Sequence, residues 1–78
     1  MKIPLKHEVK VLNLVDNDET STKDAITLAT LIELAVSATG SDMCNATICR
    51  YPDAVVYKIL DEPVAKVIPV YPELWDGL

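Results

Sequence analysis

One stretch limits the folds open to this chain, because residues 22–39, TKDAITLATLIELAVSAT, carry apolar side chains at helical spacing. At about 100° per residue, one face of this helix is continuously apolar. The opposite stripe carries more hydroxyl groups than charges. The pattern therefore predicts the one long helix of the chain, with a core face made of Ala25, Leu28, Ala29, Ile32, Ala35 and Val36.

The ends of this helix carry recognisable signals. Ser21, with Asp24 three residues later, fits a capping box at the helix start. Acidic residues just upstream favour a helix N-terminus, where the helix dipole is positive. Gly40 suits the left-handed position that commonly follows a helix. These signals predict a helix that begins close after Ser21 and ends before Gly40.

The remaining segments predict strands and turns. Residues 7–15 are rich in β-branched side chains and read as the first strand, and residues 16–21, DNDETS, read as a polar loop. Three further strands are predicted at residues 46–51, 54–60 and 65–71, with turns at residues 52–53 and 61–64. Pro69 cannot donate a ladder hydrogen bond, which predicts that the last strand lies on an edge or carries a bulge there.

This order predicts an α+β fold, β-α-β-β-β, with one central helix packed on one face of a small, mostly antiparallel four-stranded sheet. The 78 residues make one domain, 1–78, in which residues 72–78 form a short acidic-aromatic tail. One helix covers only one face of the sheet. The other face must meet water, the tail or another molecule.

Charge and cysteine content suggest a setting for the protein. Twelve acidic side chains against seven basic ones give a net charge of −5, which opposes direct binding to nucleic acid or to anionic membranes. The amino terminus lacks the apolar core of a signal peptide. We therefore expect a cytoplasmic protein, with no membrane association, in which Cys44 and Cys49 are reduced.

Catalytic and metal-binding patterns are weak. His7 is the only histidine and has no nucleophile beside it in sequence, and the spacing of Cys44 and Cys49 differs from Cys-x-x-Cys. The acidic loop imitates the start of a calcium loop, but Ser21 and Thr27 stand where glycine and glutamate are needed. We expect no catalytic residue, no metal and no cofactor, and hence no enzyme.

Several residues are candidates for protein interaction. On the helix, Ile26, Leu31 and Leu34 fall outside the core face, so we expect that the tail, or else a second subunit or a partner, covers them. In the tail, Trp75 and Leu74 form either a clamp on this domain or a docking motif for a partner. The predicted interaction residues are thus Ile26, Leu31, Leu34, Leu74 and Trp75, together with the acidic residues Asp16, Asp18 and Glu19.

These features favour a small acidic protein-binding module that self-associates, as a dimer, and acts as an adaptor or inhibitor of a larger protein. Small size, acidity and missing catalytic motifs are typical of virus- or mobile-element-encoded antagonists of host machinery. One alternative is an acidic mimic of nucleic acid that blocks a basic groove, using the loop acids with Asp24, Asp61 and Glu62. Another is a small enzyme or ligand-binding domain that uses His7 and a cysteine.

Overall fold

The computed structural model describes residues 7–41 and 43–75, so residues 76–78 of the predicted tail lie outside it. The strands are β1 (Val9–Asn13), β2 (Asp18–Thr22), β3 (Ala46–Tyr51), β4 (Ala54–Ile59) and β5 (Glu62–Pro69), and the helix α1 (Ala25–Ser37) follows β2. Short 3₁₀ turns occupy Met43–Asn45 and Pro72–Leu74. The strands form one sheet in the order β2-β1-β5-β4-β3, with every neighbouring pair antiparallel.

The predicted α+β class is confirmed, but the prediction of four strands was wrong. Residues 18–22, expected in a loop, pair with β1 as the edge strand β2. Four of the five β2 side chains are exposed, so this strand shows no apolar alternation. Its pairing follows from the turn, in which Asn13 Oδ1 accepts hydrogen bonds from the backbone N–H groups of Val15 (3.0 Å) and Asp16 (3.2 Å). Such an asparagine turn favours a hairpin whatever the polarity of the next strand.

The prediction about Pro69 was also wrong, because β5 lies in the centre of the sheet. The ladder between β5 and β4 ends where Val67 pairs with Val55. Pro69 is the last residue of β5 and pairs only with Val9 of β1, so its missing N–H interrupts no β4 hydrogen bond. The irregularity in β5 lies elsewhere: Val64 and Ala65 together face Tyr57, and all three side chains are buried.

The helix begins later than the capping box predicted. Asp24 is the N-cap residue, and its Oδ1 accepts hydrogen bonds from the N–H groups of Ile26 (2.7 Å) and Thr27 (3.1 Å). Ser21 belongs to β2 instead. Beyond the helix, Gly40 has the expected left-handed conformation, with φ of 81°. The cap is thus a single aspartate at the junction with the hairpin.

The core lies between α1 and the sheet. The predicted core face of the helix holds its buried residues, Leu28, Ile32, Ala35 and Val36. They belong to one cluster with residues of the three central strands, and the largest fully buried strand side chains there are Val9, Val55 and Val67. The helix packs on this face alone, and no α-helix of the described residues lies on the opposite face, which we call the uncovered sheet face.

Candidate protein-interaction surfaces

The outward side of α1 is apolar and nearly uncharged. Ile26, Thr30 and Leu34, spaced four residues apart, form what we call the helix ridge, and Ile26 and Leu34 are 80% and 62% exposed. The Thr30 hydroxyl donates to the carbonyl oxygen of Ile26 at 3.0 Å, so its hydrogen bond is made within the helix. Glu33 is the only charged residue in the 13 residues of α1. An exposed helix normally carries many more charges on this side.

A narrow groove runs between the helix and the first hairpin. Its volume is about 120 Å³, with Leu31 and Leu34 on the helix side and Val11 on the sheet side. Asn13, Asp18 and Thr20 complete the lining. The structure therefore brings together three of the residues singled out from sequence: Leu31, Leu34 and Asp18.

The other predicted acidic residues are distributed differently. The β1–β2 and β4–β5 turns share one end of the sheet, since Asn13 pairs with Ala65 and the Leu14 N–H donates to the Val64 carbonyl at 3.0 Å. Four acidic residues lie at that end, which we call the acidic end: Asp16, Asp18, Asp61 and Glu62. Glu19 lies apart from them, on the uncovered sheet face, and Asp24 caps the helix near the other end of the sheet.

The uncovered sheet face carries lysines that sequence reasoning passed over. Lys66 in the central strand lies directly opposite Leu12 on one side and Val56 on the other. Lys10 lies opposite Ile68, and all five of these side chains are half-buried. The signal was present in the sequence, because lysine alternates with core residues in the first, third and fourth of the predicted strands. It gained meaning only when the strand order placed these lysines side by side.

The residues of the tail lie beside that face. Trp75 packs against the core cluster and is half-buried, whereas Leu74 is 57% exposed. Trp75 also borders a cavity of about 380 Å³, together with Lys66 and Ile68 of the uncovered face. The remaining lining residues are Pro52, Asp53, Pro69 and Pro72. Neither tail residue approaches the helix groove, whose lining comes from β1, β2 and α1.

His7 packs against Trp75 and does not meet a cysteine. Its two ring nitrogens are buried and have no hydrogen-bond partner in the described part of the chain. Cys49 is half-buried on β3, Cys44 is exposed in the preceding 3₁₀ turn, and both are thiols. Among residues 7–41 and 43–75, no group of three or more histidine, cysteine, aspartate or glutamate side chains is placed to hold a metal ion.

One ionisable core group is perturbed. Burial raises the pKa of the Tyr57 phenol above its usual 10.0, and the positive charge of Arg50 partly offsets that rise. Desolvation disfavours the phenolate, and a nearby cation favours it. Tyr57 therefore belongs to the core of the sheet, without the lowered pKa expected of a tyrosine that acts as a base.

Comparison of the chain with protein-family models, with curated proteins and with solved structures finds no match. Within the described residues, no helix combines the length and the apolar character that crossing a bilayer requires. The class defined by the fold is thus an α+β domain with one helix on a five-stranded antiparallel sheet. Its candidate surfaces are the helix ridge with its groove, the acidic end and the uncovered sheet face.

Proposed function

We propose that this chain is a small, non-enzymatic protein-binding module that self-associates through the helix ridge. The observation that carries the proposal is the exposure of Ile26 and Leu34 on a helix with a single charged residue. Large apolar side chains exposed together on a small domain mark an interaction site. As in the sequence-based prediction, the role is that of an adaptor or inhibitor of a larger protein, in the cytoplasm.

A second copy of the chain is the occupant that we infer for the ridge, because the ridge is where two copies meet with the least charge repulsion. Each copy carries a net charge of −5, so two copies repel one another over most of their surfaces. The ridge is the part of the outward helix surface where Glu33 is the only nearby helix charge. Rows of side chains four residues apart interdigitate when two helices cross at about −50°. The Ile26, Thr30 and Leu34 row has that spacing.

The test is the solution mass, measured by light scattering on a sizing column over a range of protein concentrations. We expect a dimer, and we expect Leu34→Glu to give a folded monomer because each interface would receive two buried carboxylates. Leu60→Glu is the matched control, since Leu60 is an 89% exposed leucine at the β4–β5 turn, away from the ridge. That variant should stay dimeric. A wild-type chain that remains monomeric at every concentration would overturn self-association.

The alternative, an acidic mimic of nucleic acid, is favoured by the grouping of Asp16, Asp18, Asp61 and Glu62 at one end of the sheet. Carboxylates on adjacent turns present negative charge to a basic groove, much as phosphates do. The test is competition with DNA for a basic nuclease, at several salt concentrations. Inhibition that weakens with salt and is lost in Asp61→Asn/Glu62→Gln would support the mimic, while inhibition unaffected by these changes would exclude it.

A further inference from the structure

The uncovered sheet face carries a diagonal row of three lysines. Lys66 is on β5; Lys10 lies one strand away and two residues along, opposite Ile68; Lys58 lies one strand away on the other side, two residues beyond Val56. Strands about 4.8 Å apart and a two-residue step of about 6.8 Å place the Cα atoms of Lys10 and Lys66 roughly 8 Å apart. Lys58 lies beyond the register shift in β5, where it pairs with Pro63. We call this row the lysine diagonal.

Aliphatic side chains fill the positions around the lysine diagonal. Leu12 and Val56 flank Lys66 across the strands, and Ile68 follows it along β5. All three lysines are half-buried. Lysines of this kind lay their alkyl stems on neighbouring apolar groups and keep the ammonium group at the surface. The face therefore presents positive charges set in an apolar sheet.

These charges are poorly compensated. On the described strands of this face the one carboxylate is Glu19, which forms an ion pair with Lys10, with 3.0 Å between Nζ and Oε1. Asp53, in the β3–β4 turn, lines the same cavity as Lys66 without forming an ion pair with it. Lys58 and Lys66 form no ion pair with any other described residue. The strands of this face thus carry three lysines and one carboxylate, in a chain with a net charge of −5.

The geometry points to this face as a docking site for an acidic-apolar segment of a partner protein. Its carboxylates pair with Lys58 and Lys66, and its apolar side chains lie on Leu12, Val56 and Ile68. Alternate residues of an extended segment lie about 6.8 Å apart, a spacing that flexible lysine side chains can follow. The cavity beside Trp75, which Lys66 and Ile68 also line, accepts one larger apolar side chain.

Nucleic acid and anionic membranes fit this face less well. Binding to phosphate backbones relies on several cations acting together, whereas only two of these lysines lack a carboxylate partner. Single-stranded nucleic acid also needs several aromatic side chains for stacking. The described strands of this face offer only Tyr51, at the edge, and Trp75 beside the face is half-buried. The aliphatic side chains between the lysines instead match the apolar residues of a polypeptide.

The experiment uses the full chain and a short synthetic peptide that alternates glutamate with leucine. Binding is followed by Trp75 fluorescence and by amide NMR shifts, with a lysine–leucine peptide of the same length as the charge control. We expect saturable binding of the glutamate–leucine peptide and no binding of the lysine–leucine peptide, with NMR shifts centred on β1, β4 and β5. We expect Lys66→Glu to weaken it about tenfold or more.

Matched variants distinguish an effect on this binding face from an effect of overall charge or of unfolding. Lys23→Glu makes the same charge change at an exposed residue before the helix, and it should change the affinity less than about twofold. Lys66→Gln removes the charge and retains a long side chain, so it tests the site if Lys66→Glu fails to fold. Leu34→Glu should leave peptide binding intact, because the helix ridge lies on the opposite side of the sheet. The docking site is therefore independent of self-association.

Four results would overturn the inference. The first is equal binding of the two peptides, or no binding of the glutamate–leucine peptide. The second is an affinity that Lys66→Gln and Lys66→Glu leave unchanged. The third is tighter binding of a single-stranded RNA oligonucleotide or of phosphatidylserine vesicles at the same face. Salt-sensitive polymers of the chain alone, dispersed by Lys66→Gln, would assign the face to a second copy and would also contradict the proposal.

Discussion

The imidazole of His7 meets the indole of Trp75 edge-on, with 5.9 Å between ring centroids and 77° between ring planes. Aromatic pairs favour this arrangement. The histidine nitrogens gain nothing from it, since both are buried without a hydrogen-bond partner in the described part of the chain. We predict that His7→Phe, which keeps a ring and removes the unpaired nitrogens, stabilises the fold by about 1 kcal/mol.

Urea denaturation of His7→Phe and wild type measures this difference. His7→Ala is the control, because it removes the nitrogens and the ring together and should destabilise the fold through the lost aromatic pair. A phenylalanine variant less stable than wild type would mean that the nitrogens are satisfied in solution.

Trp75→Ala should destabilise the protein by about 2–3 kcal/mol. The indole packs on the core, but it is half-buried, so the cost should fall at or below the lower end of the range for truncating a buried aromatic residue. Leu74→Ala is the neighbouring control, and it should cost less than about 0.5 kcal/mol because Leu74 is largely exposed. Thermal unfolding followed by circular dichroism gives both values. Equal losses of stability in the two variants would show that the indole does not pack on the core.

Two variants distinguish an N-cap at Asp24 from the capping box predicted at Ser21. Asp24→Ala should cost about 1 kcal/mol, because the N–H groups of Ile26 and Thr27 lose their acceptor. Ser21→Ala should change the stability by less than about 0.5 kcal/mol, since Ser21 is exposed on β2. Chemical denaturation of the two variants decides the matter. A larger loss of stability in Ser21→Ala than in Asp24→Ala would support the capping box instead.

The β4–β5 turn contains an unfavourable residue. Leu60 and Asp61 both have positive φ, 49° and 67°, which is costly for a residue with a branched side chain such as leucine. Leu60→Asn should raise the stability by about 1 kcal/mol, because asparagine tolerates the left-handed conformation. Leu60→Ala, which keeps a Cβ atom, should gain much less. Melting temperatures of the three proteins test this, and an equal gain in both variants would locate the effect in the exposed leucine side chain.

The raised pKa of Tyr57 should appear as a loss of stability at alkaline pH. Its folded pKa lies above the unfolded value, so the unfolded chain loses the phenol proton first as the pH passes 10. The stability contribution is complete below pH 10 and is lost as the pH rises towards the folded pKa. Tyr57→Phe should therefore lose less stability than wild type between neutral and strongly alkaline pH. Parallel curves for the two proteins would contradict the predicted shift.

The parts of the fold that were predictable from sequence are those whose apolar spacing is regular. The core face of α1 and the strands around Ala46–Tyr51 and Ala54–Ile59 follow from side-chain periodicity and from the turn at Pro52 and Asp53. β2 was missed because an exposed edge strand needs no apolar alternation. Its only signals were Asn13 and Asn17, two asparagines suited to a tight turn.

The interaction surfaces were less predictable, because they depend on strand order. The exposure of Ile26 and Leu34 follows from helical spacing alone. The neighbourhood of Leu12, Lys66 and Val56 depends on β1 lying beside β5, which no local pattern indicates. The same holds for the acidic end, where turns distant in sequence become neighbours.

The position of β5 has a consequence for how the chain is made. β5 joins the β1–β2 hairpin to the β3–β4 pair, and it is the last of these five strands to leave the ribosome. Val9 of β1 therefore pairs with Pro69 only after β5 has been made. The earlier strands therefore emerge without the neighbour that holds them together. We expect this domain to fold only after β5 has been synthesised, in one cooperative step that depends on contacts between residues distant in sequence.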